Sequence, residues 1–268
     1  MTIPTFIVLI YMKLLRETVA VTQRILIELI RRKRSLILWS IFPISILIIN
    51  SLVISERLDM TQAEAFSNIA PSILVGAALF FSCLGGTIAT IVAEREQQTL
   101  KRLFISPLSG ISYFLGIFFA HSFIGLGQTL IIYTVSSFWG GEFKGSLLLG
   151  ALIIILIITA YVGLGFILST QLAKRTEDVN SIVAAFGIPL LILGGAFFPA
   201  DFLPENLLKL AEFNPIYHAN QALVGVSYHG YDLEQIDVHF QFLCIFVAVV
   251  IITAWFSYLG MLNIEKRL

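Results

Sequence analysis

Residues 145–173 read GSLLLGALIIILIITAYVGLGFILSTQLA and contain no Asp, Glu, Lys or Arg. An α-helix rises about 1.5 Å per residue, so ~20 apolar residues cross the roughly 30 Å hydrocarbon core of a bilayer. This run exceeds that length, and it therefore predicts a transmembrane helix.

Further runs without charge lie on both sides of this one. They are residues 35–55, 65–93, 103–141, 179–200 and 238–264. Only 13% of the 268 residues are charged and 57% are apolar, whereas a soluble domain carries ~25% charged residues. A soluble protein of this size has too little polar surface to enclose six such helices. The sequence predicts an all-α membrane protein in which residues 35–268 form one domain of six transmembrane helices.

The basic residues predict the orientation of this domain. Fourteen of the 17 Lys and Arg residues lie in residues 1–34, 94–102, 174–178 and 265–268, and three lie in the alternate loops. Because basic residues concentrate in cytoplasmic loops, both termini are expected in the cytoplasm. We expect a multi-pass protein of the plasma (inner) membrane of a prokaryote, or of an organelle of prokaryotic origin.

Residues 1–34 precede the first span and form a separate cytoplasmic region. From Lys13 onward, charged residues recur on one stripe of a helix and leucine, valine and isoleucine on another. This pattern predicts an amphipathic helix lying in the cytoplasmic interface and leading into the first span. A solvated helix packed on its own protein remains the alternative.

The sequence also argues against several functions. The six runs carry no acidic or basic side chain, whereas gradient-driven transporters use ionisable groups in the membrane. No Gly-Lys pair exists for a phosphate-binding loop, so the chain is expected to be no enzyme, to hold no cofactor itself and to depend on a partner for ATP hydrolysis. Zero net charge gives no basic excess for nucleic acid, and no residue spacing matches a metal site.

Residues 94–109 form the longest feature between spans on the predicted cytoplasmic side. Glu94, Arg95 and Glu96 begin this segment, Leu100, Leu103 and Phe104 recur in it at helical spacing, and Pro107 ends it. The pattern predicts a short amphipathic helix that a soluble motor protein could grip. An ordinary polar turn is the alternative.

Residues 194–226 form the second informative segment, on the predicted outer side. Paired glycines at 194–195 and prolines at 199 and 204 predict that the fifth span breaks at its outer end. Two short helices are expected at 203–212 and 216–226. They either dip back into the outer leaflet or lie flat as a lid.

Together these features resemble the membrane subunits of ABC-2 type transporters, closest to exporters of the daunorubicin-resistance type. The resemblance rests on the six spans, the interfacial helix and both segments. In that family a glycine commonly precedes the Thr-Leu pair, where this chain has Gln98. The resemblance implies an ATPase-coupling helix that contains Glu94, Arg95, Glu96, Thr99, Leu100, Leu103 and Pro107. It also implies an outer re-entrant element that contains Pro199, Pro204, Asn214, Pro215 and Tyr217.

The resemblance further implies an assembly of two copies of this chain, as a homodimer in membrane lipid, with ABC ATP-binding subunits that hold ATP and Mg. A substrate path would then run between the two copies along the second and fifth spans. The apolar candidates for its lining are Phe80, Phe81, Leu84, Phe186, Leu190 and Phe197. The expected function is export of an amphipathic small molecule or lipid. Export of a lipid-linked polysaccharide, or a non-transporting role as a membrane anchor for an ATPase, remain alternatives.

Overall fold

The computed structural model describes residues 3–31, 33–100, 102, 108–173, 175–197 and 203–265. Within these ranges the chain is helical and contains no strand. The helices are α1 Ile3–Arg31, α2 Lys33–Arg57, α3 Gln62–Glu96, α4 Gly110–Phe138, α5 Leu147–Gln171, α6 Thr176–Leu193, α7 Glu205–Ala211, α8 Pro215–Val224 and α9 Asp237–Glu265. This confirms the predicted all-α class.

Six of these helices are long and apolar enough to cross a membrane, namely α2, α3, α4, α5, α6 and α9. They correspond one to one to the six uncharged runs, so the predicted number and order of spans are confirmed. The predicted helices at 203–212 and 216–226 are also present as α7 and α8.

Helix α3 is the centre of the bundle, and α5 is the next most buried span. The middle of α3, Leu74–Gly85, forms a π-helix, and nearly every side chain there is buried. The helix begins with a capping box, in which Thr61 Oγ1 accepts from the Glu64 N–H at 3.3 Å and Glu64 accepts from the Thr61 N–H at 3.0 Å. Its neighbours are α2, α4 and α5.

Helix α1 packs along α4. Glu17 accepts hydrogen bonds from the Ser109 N–H at 3.1 Å and the Ser112 hydroxyl at 2.9 Å, which places a carboxylate at the positive N-terminal end of α4. The opposite face of α1 exposes large apolar side chains, namely Tyr11, Met12, Leu15, Val19, Ile27 and Ile30. This face favours a helix in the membrane interface over a solvated one, although that placement stays a prediction.

The bundle has two ends that are described separately below. The end of α3 at Glu96, the start of α4 and the end of α5 lie together, and this is called the Glu94 end. The end of α6, helix α8 and the start of α3 lie at the other side, and this is called the Asn214 end.

Candidate functional site: the Glu94 end, the path residues and the Asn214 end

Three consecutive charged residues finish α3, and each contacts different helices. The first is Glu94, whose side chain is 7% exposed. Its carboxylate accepts hydrogen bonds from the Arg24 guanidinium on α1 and from the Tyr113 hydroxyl on α4. A buried carboxylate requires such partners, because burial without them is very costly.

The second residue is Arg95, which is half-buried and reaches the ends of two other spans. Its guanidinium donates to the carbonyl oxygens of Ser169 and Ala173, each at 3.0 Å, and lies 3.1 Å from Met261 Sδ. These carbonyls lie at the C-terminal end of α5, where the helix dipole is negative. The cation therefore stabilises the end of α5 and holds it close to α9.

The third residue is Glu96, which contacts the start of α6. It accepts hydrogen bonds from the Thr176 N–H at 3.0 Å and from the Thr176 hydroxyl. Glu94, Arg95 and Glu96, called the triad from here on, thus connect α3 to α1, α4, α5, α9 and α6. Sequence reasoning singled out the triad but missed Arg24, Tyr113 and Thr176, since no local pattern marks partners so far away in sequence.

The segment after the triad divides into buried and exposed parts. Leu100 is 1% exposed and belongs to the core, whereas Gln97, Gln98 and Arg102 are exposed. Leu103 and Pro107 lie outside the described residues. Glu94 and Leu100 therefore face the interior of their own chain, and an outside partner would meet the exposed positions. The coupling role of this segment stays a prediction.

Gln98 has a left-handed backbone conformation, with a φ of 54°. A side chain in this conformation costs roughly 1–2 kcal/mol, and glycine avoids that cost. This gives a physical reason for the glycine that the resemblance leads one to expect at this position. It also shows that the turn forms with glutamine in place.

We expect Gln98→Gly to raise the free energy of unfolding by about 1 kcal/mol. Gln97→Gly is the matched control, because Gln97 has a φ of −78° and gains nothing from glycine. Denaturation of both variants with sodium dodecyl sulfate in mixed micelles measures the difference. Equal effects of the two substitutions would contradict this account of the turn.

The residues predicted to line a substrate path do not lie at one place in the chain. Phe80, Leu84 and Leu190 line one internal cavity. Phe81 packs edge-on against Phe42 of α2, with 5.4 Å between ring centroids. Phe197 lies elsewhere, where its carbonyl accepts from the Asn50 side chain at 2.6 Å. The side chain of Phe186 lies outside the described residues. A continuous path between two copies stays a prediction.

Two asparagines fix the Asn214 end. The buried Asn214 precedes α8, accepts from the Ile216 N–H at 3.0 Å and donates to the Leu190 carbonyl at 2.6 Å. Asn220 donates to the carbonyl oxygens of Gly194 and Gly195 at 3.2 and 2.9 Å. Asn220 therefore satisfies carbonyls just beyond the end of α6, and Asn214 adds a second donor to the Leu190 carbonyl, which also accepts from the Gly194 N–H at 2.8 Å.

The other residues predicted for the outer element surround this contact. Pro215 occupies the first position of α8, where its missing N–H costs nothing. Tyr217 packs edge-on against His218 and His239, and Pro204 directly precedes α7. Pro199 lies outside the described residues. The sequence drew attention to Asn214 by its Asn-Pro pair but gave no comparable signal for Asn220.

A probable multidrug ABC transporter permease, YbhR of Escherichia coli K12, is 29% identical over 49% of this chain and 36% of its own length. The chain thus aligns with about a third of that relative. Putative transport permeases named ycf38 are 23% identical in Cyanophora paradoxa, over 81% of this chain and 76% of theirs, and 26% identical in Porphyra purpurea, over 81% and 74%.

The family described as ABC-2 type transporter matches residues 16–228. The matched region begins within α1 and ends within the π-turn that follows α8, so it includes five of the six spans, the triad and Asn214. On this match, this chain belongs to the ABC-2 type transporter family.

Proposed function

We propose that this chain is the permease subunit of an ABC exporter. It carries an amphipathic small molecule or lipid out of the cytoplasm or the inner leaflet, and it acts as a homodimer. Hydrolysis of ATP, with Mg, on separate ATP-binding subunits supplies the free energy. The Glu94 end faces the cytoplasm in this proposal, as the distribution of lysine and arginine favours.

The observation that carries the proposal is the set of contacts made by the triad. The exposed residues Gln97 and Gln98 directly follow α3, and the triad connects the end of α3 to five other helices. A force applied to this segment would therefore act on α1, α4, α5, α6 and α9 together. The ATPase can shift the bundle from one arrangement to another only to the extent that it binds the second arrangement more tightly than the first.

The apolar composition of the spans supports the proposed substrate class. No acidic or basic residue lies within the six uncharged runs, so a substrate must be recognised by shape and apolar contact. The name of the Escherichia coli relative, a probable multidrug transporter permease, agrees with such a substrate.

The test first identifies an ABC ATPase that co-purifies with the chain. The two proteins are then co-expressed, and transport into inside-out vesicles is measured. We expect ATP-dependent accumulation of a fluorescent amphiphile or lipid. Arg102→Glu, which reverses an exposed charge in the coupling segment, should reduce the bound ATPase at least tenfold, because reversing a charge at a contact surface removes the complementarity that favours association. Lys209→Glu reverses an exposed charge on α7 and should leave the bound ATPase unchanged.

The alternatives give different results in the same experiment. Equal loss or equal retention of ATPase in both variants would place the contact elsewhere. A bound ATPase without ATP-dependent transport of any amphiphile would favour the role as a membrane anchor. Transport restricted to a lipid-linked polysaccharide would favour the glycan exporter.

A further inference from the structure

A pair of histidines joins α8 to α9 at the Asn214 end. His218 of α8 is 6% exposed, His239 in the first turn of α9 is half-buried, and their Nδ1 atoms are 2.9 Å apart. We propose that this pair is a pH-sensitive latch, closed at neutral pH, that releases α8 from α9 as the pH falls. The latch is a property of one chain, so the proposal does not rest on the function proposed above.

The partners of the neutral pair determine where its hydrogen atoms lie. The Glu212 carbonyl oxygen can only accept a hydrogen bond, so His218 Nε2, 2.8 Å away, carries a hydrogen and donates it. The Nδ1 atom of neutral His218 is therefore an acceptor, and it accepts from His239 Nδ1–H. In this arrangement the hydrogen bond between the two rings is complete, and the latch is closed.

The pair keeps this hydrogen bond with one added proton but not with two. When either ring alone is charged, the other ring still offers its Nδ1 as an acceptor. When both rings are charged, two N–H donors and two positive charges face each other across the 2.9 Å contact. A free histidine binds a proton near pH 6.5. The separated state therefore binds more protons than the closed one below that pH, and the closed latch loses stability as the pH falls.

Ring packing ties the state of the pair to the position of α8. Phe242 of α9 stacks on His218, with 3.9 Å between ring centroids and 13° between planes, and Tyr217 packs edge-on against both histidines. His218 therefore cannot turn its Nδ1 away without breaking contacts between α8 and α9. In the part of the chain that the structure describes, no third His, Cys, Asp or Glu completes a metal site with the pair.

Two exposed carboxylates lie close to the pair in the sequence, Asp237 at the start of α9 and Glu212 before α8. Their negative charges help the pair to hold its first proton, but water screens exposed charges, so they do not remove the repulsion between two charged rings. Away from the Glu94 end, the other titratable side chains on α7, α8, α9 and the elements packed against them are Glu64 and Cys83 of α3, Tyr161 of α5, Glu205 and Lys209 of α7, Tyr217 of α8, Tyr228 and His229 of the turn after α8, and Cys244 of α9.

The test measures backbone amide exchange of residues 218–224 in the full chain in nanodiscs, with a metal chelator present, at pH 7.5 and pH 5.5. Each rate is divided by that of an unstructured peptide of the same sequence at the same pH, which gives a protection factor. Because the open state binds one proton more, its share grows by up to about tenfold per pH unit below ~6.5. We therefore expect the protection factors of the unaltered chain to fall at least fivefold.

Two glutamine variants separate the latch from a general effect of acid. His239→Gln keeps an N–H donor for His218 but cannot become charged, so its protection factors should change less than about twofold. His229→Gln is the matched control at an exposed histidine in the turn after α8, and it should keep the fall seen in the unaltered chain. Protection factors of the unaltered chain that stay constant, or an equal fall in His239→Gln, would overturn the proposal.

A measurement on the unaltered chain keeps the proposal testable if His239→Gln fails to fold. With nitrogen-15 in the histidine rings, NMR at pH 7.5 should show His218 protonated at Nε2 and a scalar coupling between the two Nδ1 nuclei across their hydrogen bond. The coupling should disappear over the pH range in which α8 loses protection. A neutral His218 protonated at Nδ1, or a coupling that is unchanged at pH 5.5, would overturn the proposal.

Discussion

Replacing Arg24 by methionine is expected to lower the free energy of unfolding by about 3 kcal/mol. The side chain of Glu94 is 7% exposed, and Arg24 is its ion-pair partner. Removing the guanidinium leaves the carboxylate in the interior with the Tyr113 hydroxyl as its remaining donor among the contacts described above. Breaking a buried pair from one side costs more than the pair itself contributes, because the remaining charge is not compensated.

Two further variants separate this explanation from a general loss of packing on α1. Glu94→Gln in the Arg24→Met background removes the uncompensated charge and should restore at least half of the lost stability. Lys13→Met on the same helix removes an exposed lysine that pairs with Glu17 at 3.7 Å. Glu17 keeps its hydrogen bonds from Ser109 and Ser112, so this variant should have no measurable effect. Unfolding in mixed micelles, at matched insertion into the membrane, measures all of them. A double variant less stable than Arg24→Met would contradict the role given to the pair.

The second large effect is expected from Asn214→Leu, which should lower the free energy of unfolding by about 2 kcal/mol. The substitution removes the acceptor for the Ile216 N–H at the start of α8 and one of two donors to the Leu190 carbonyl, which keeps the Gly194 N–H. The surroundings offer little water, because Asn214 is 4% exposed, and the unsatisfied Ile216 N–H there retains its full desolvation cost.

Asn206→Leu serves as the matched control, since Asn206 is an exposed asparagine on α7. Its replacement should leave the unfolding free energy unchanged. The amide exchange rates of residues 188–197 and 215–220 should rise in Asn214→Leu alone, because the asparagine joins these two segments. Exchange that stays at the level of the unaltered chain would show that other contacts hold α8 in place.

Much of the fold could be predicted from the sequence because its strongest signal is the absence of charge. Residues 145–173 and the five similar runs each became one long helix, and the glycine and proline residues from 194 to 215 marked the break before α7 and α8. A run long enough to cross a bilayer has few other stable structures, since backbone groups in hydrocarbon must be satisfied within the helix.

The candidate site could be predicted only in part, because its partners are distant in sequence. Glu94 was identified as part of a charged segment, which normally implies an exposed surface. Its burial depends on Arg24, 70 positions earlier, and on Tyr113 in the next span. Leu100 was likewise expected in a helix that a soluble motor protein could grip, yet it is 1% exposed, and nothing within its own segment indicates that the bundle covers it.

The left-handed turn at Gln98 illustrates a different limit. Backbone conformation at one position is set by the geometry that joins α3 to the following segment, and glutamine has no preference for it. Only the glycine expected from the resemblance pointed to this turn.

The contacts of the triad also affect the order in which the chain can be completed during synthesis. Arg24 is already available when Glu94 emerges, but Arg95 meets Met261 only 166 positions later. Until α9 has been inserted, the Arg95 guanidinium can donate to the Ser169 and Ala173 carbonyls but lacks its contact with Met261. An unfinished chain therefore differs from a finished one by a less covered charged group at this end of the bundle, a feature by which quality-control proteases could distinguish the two.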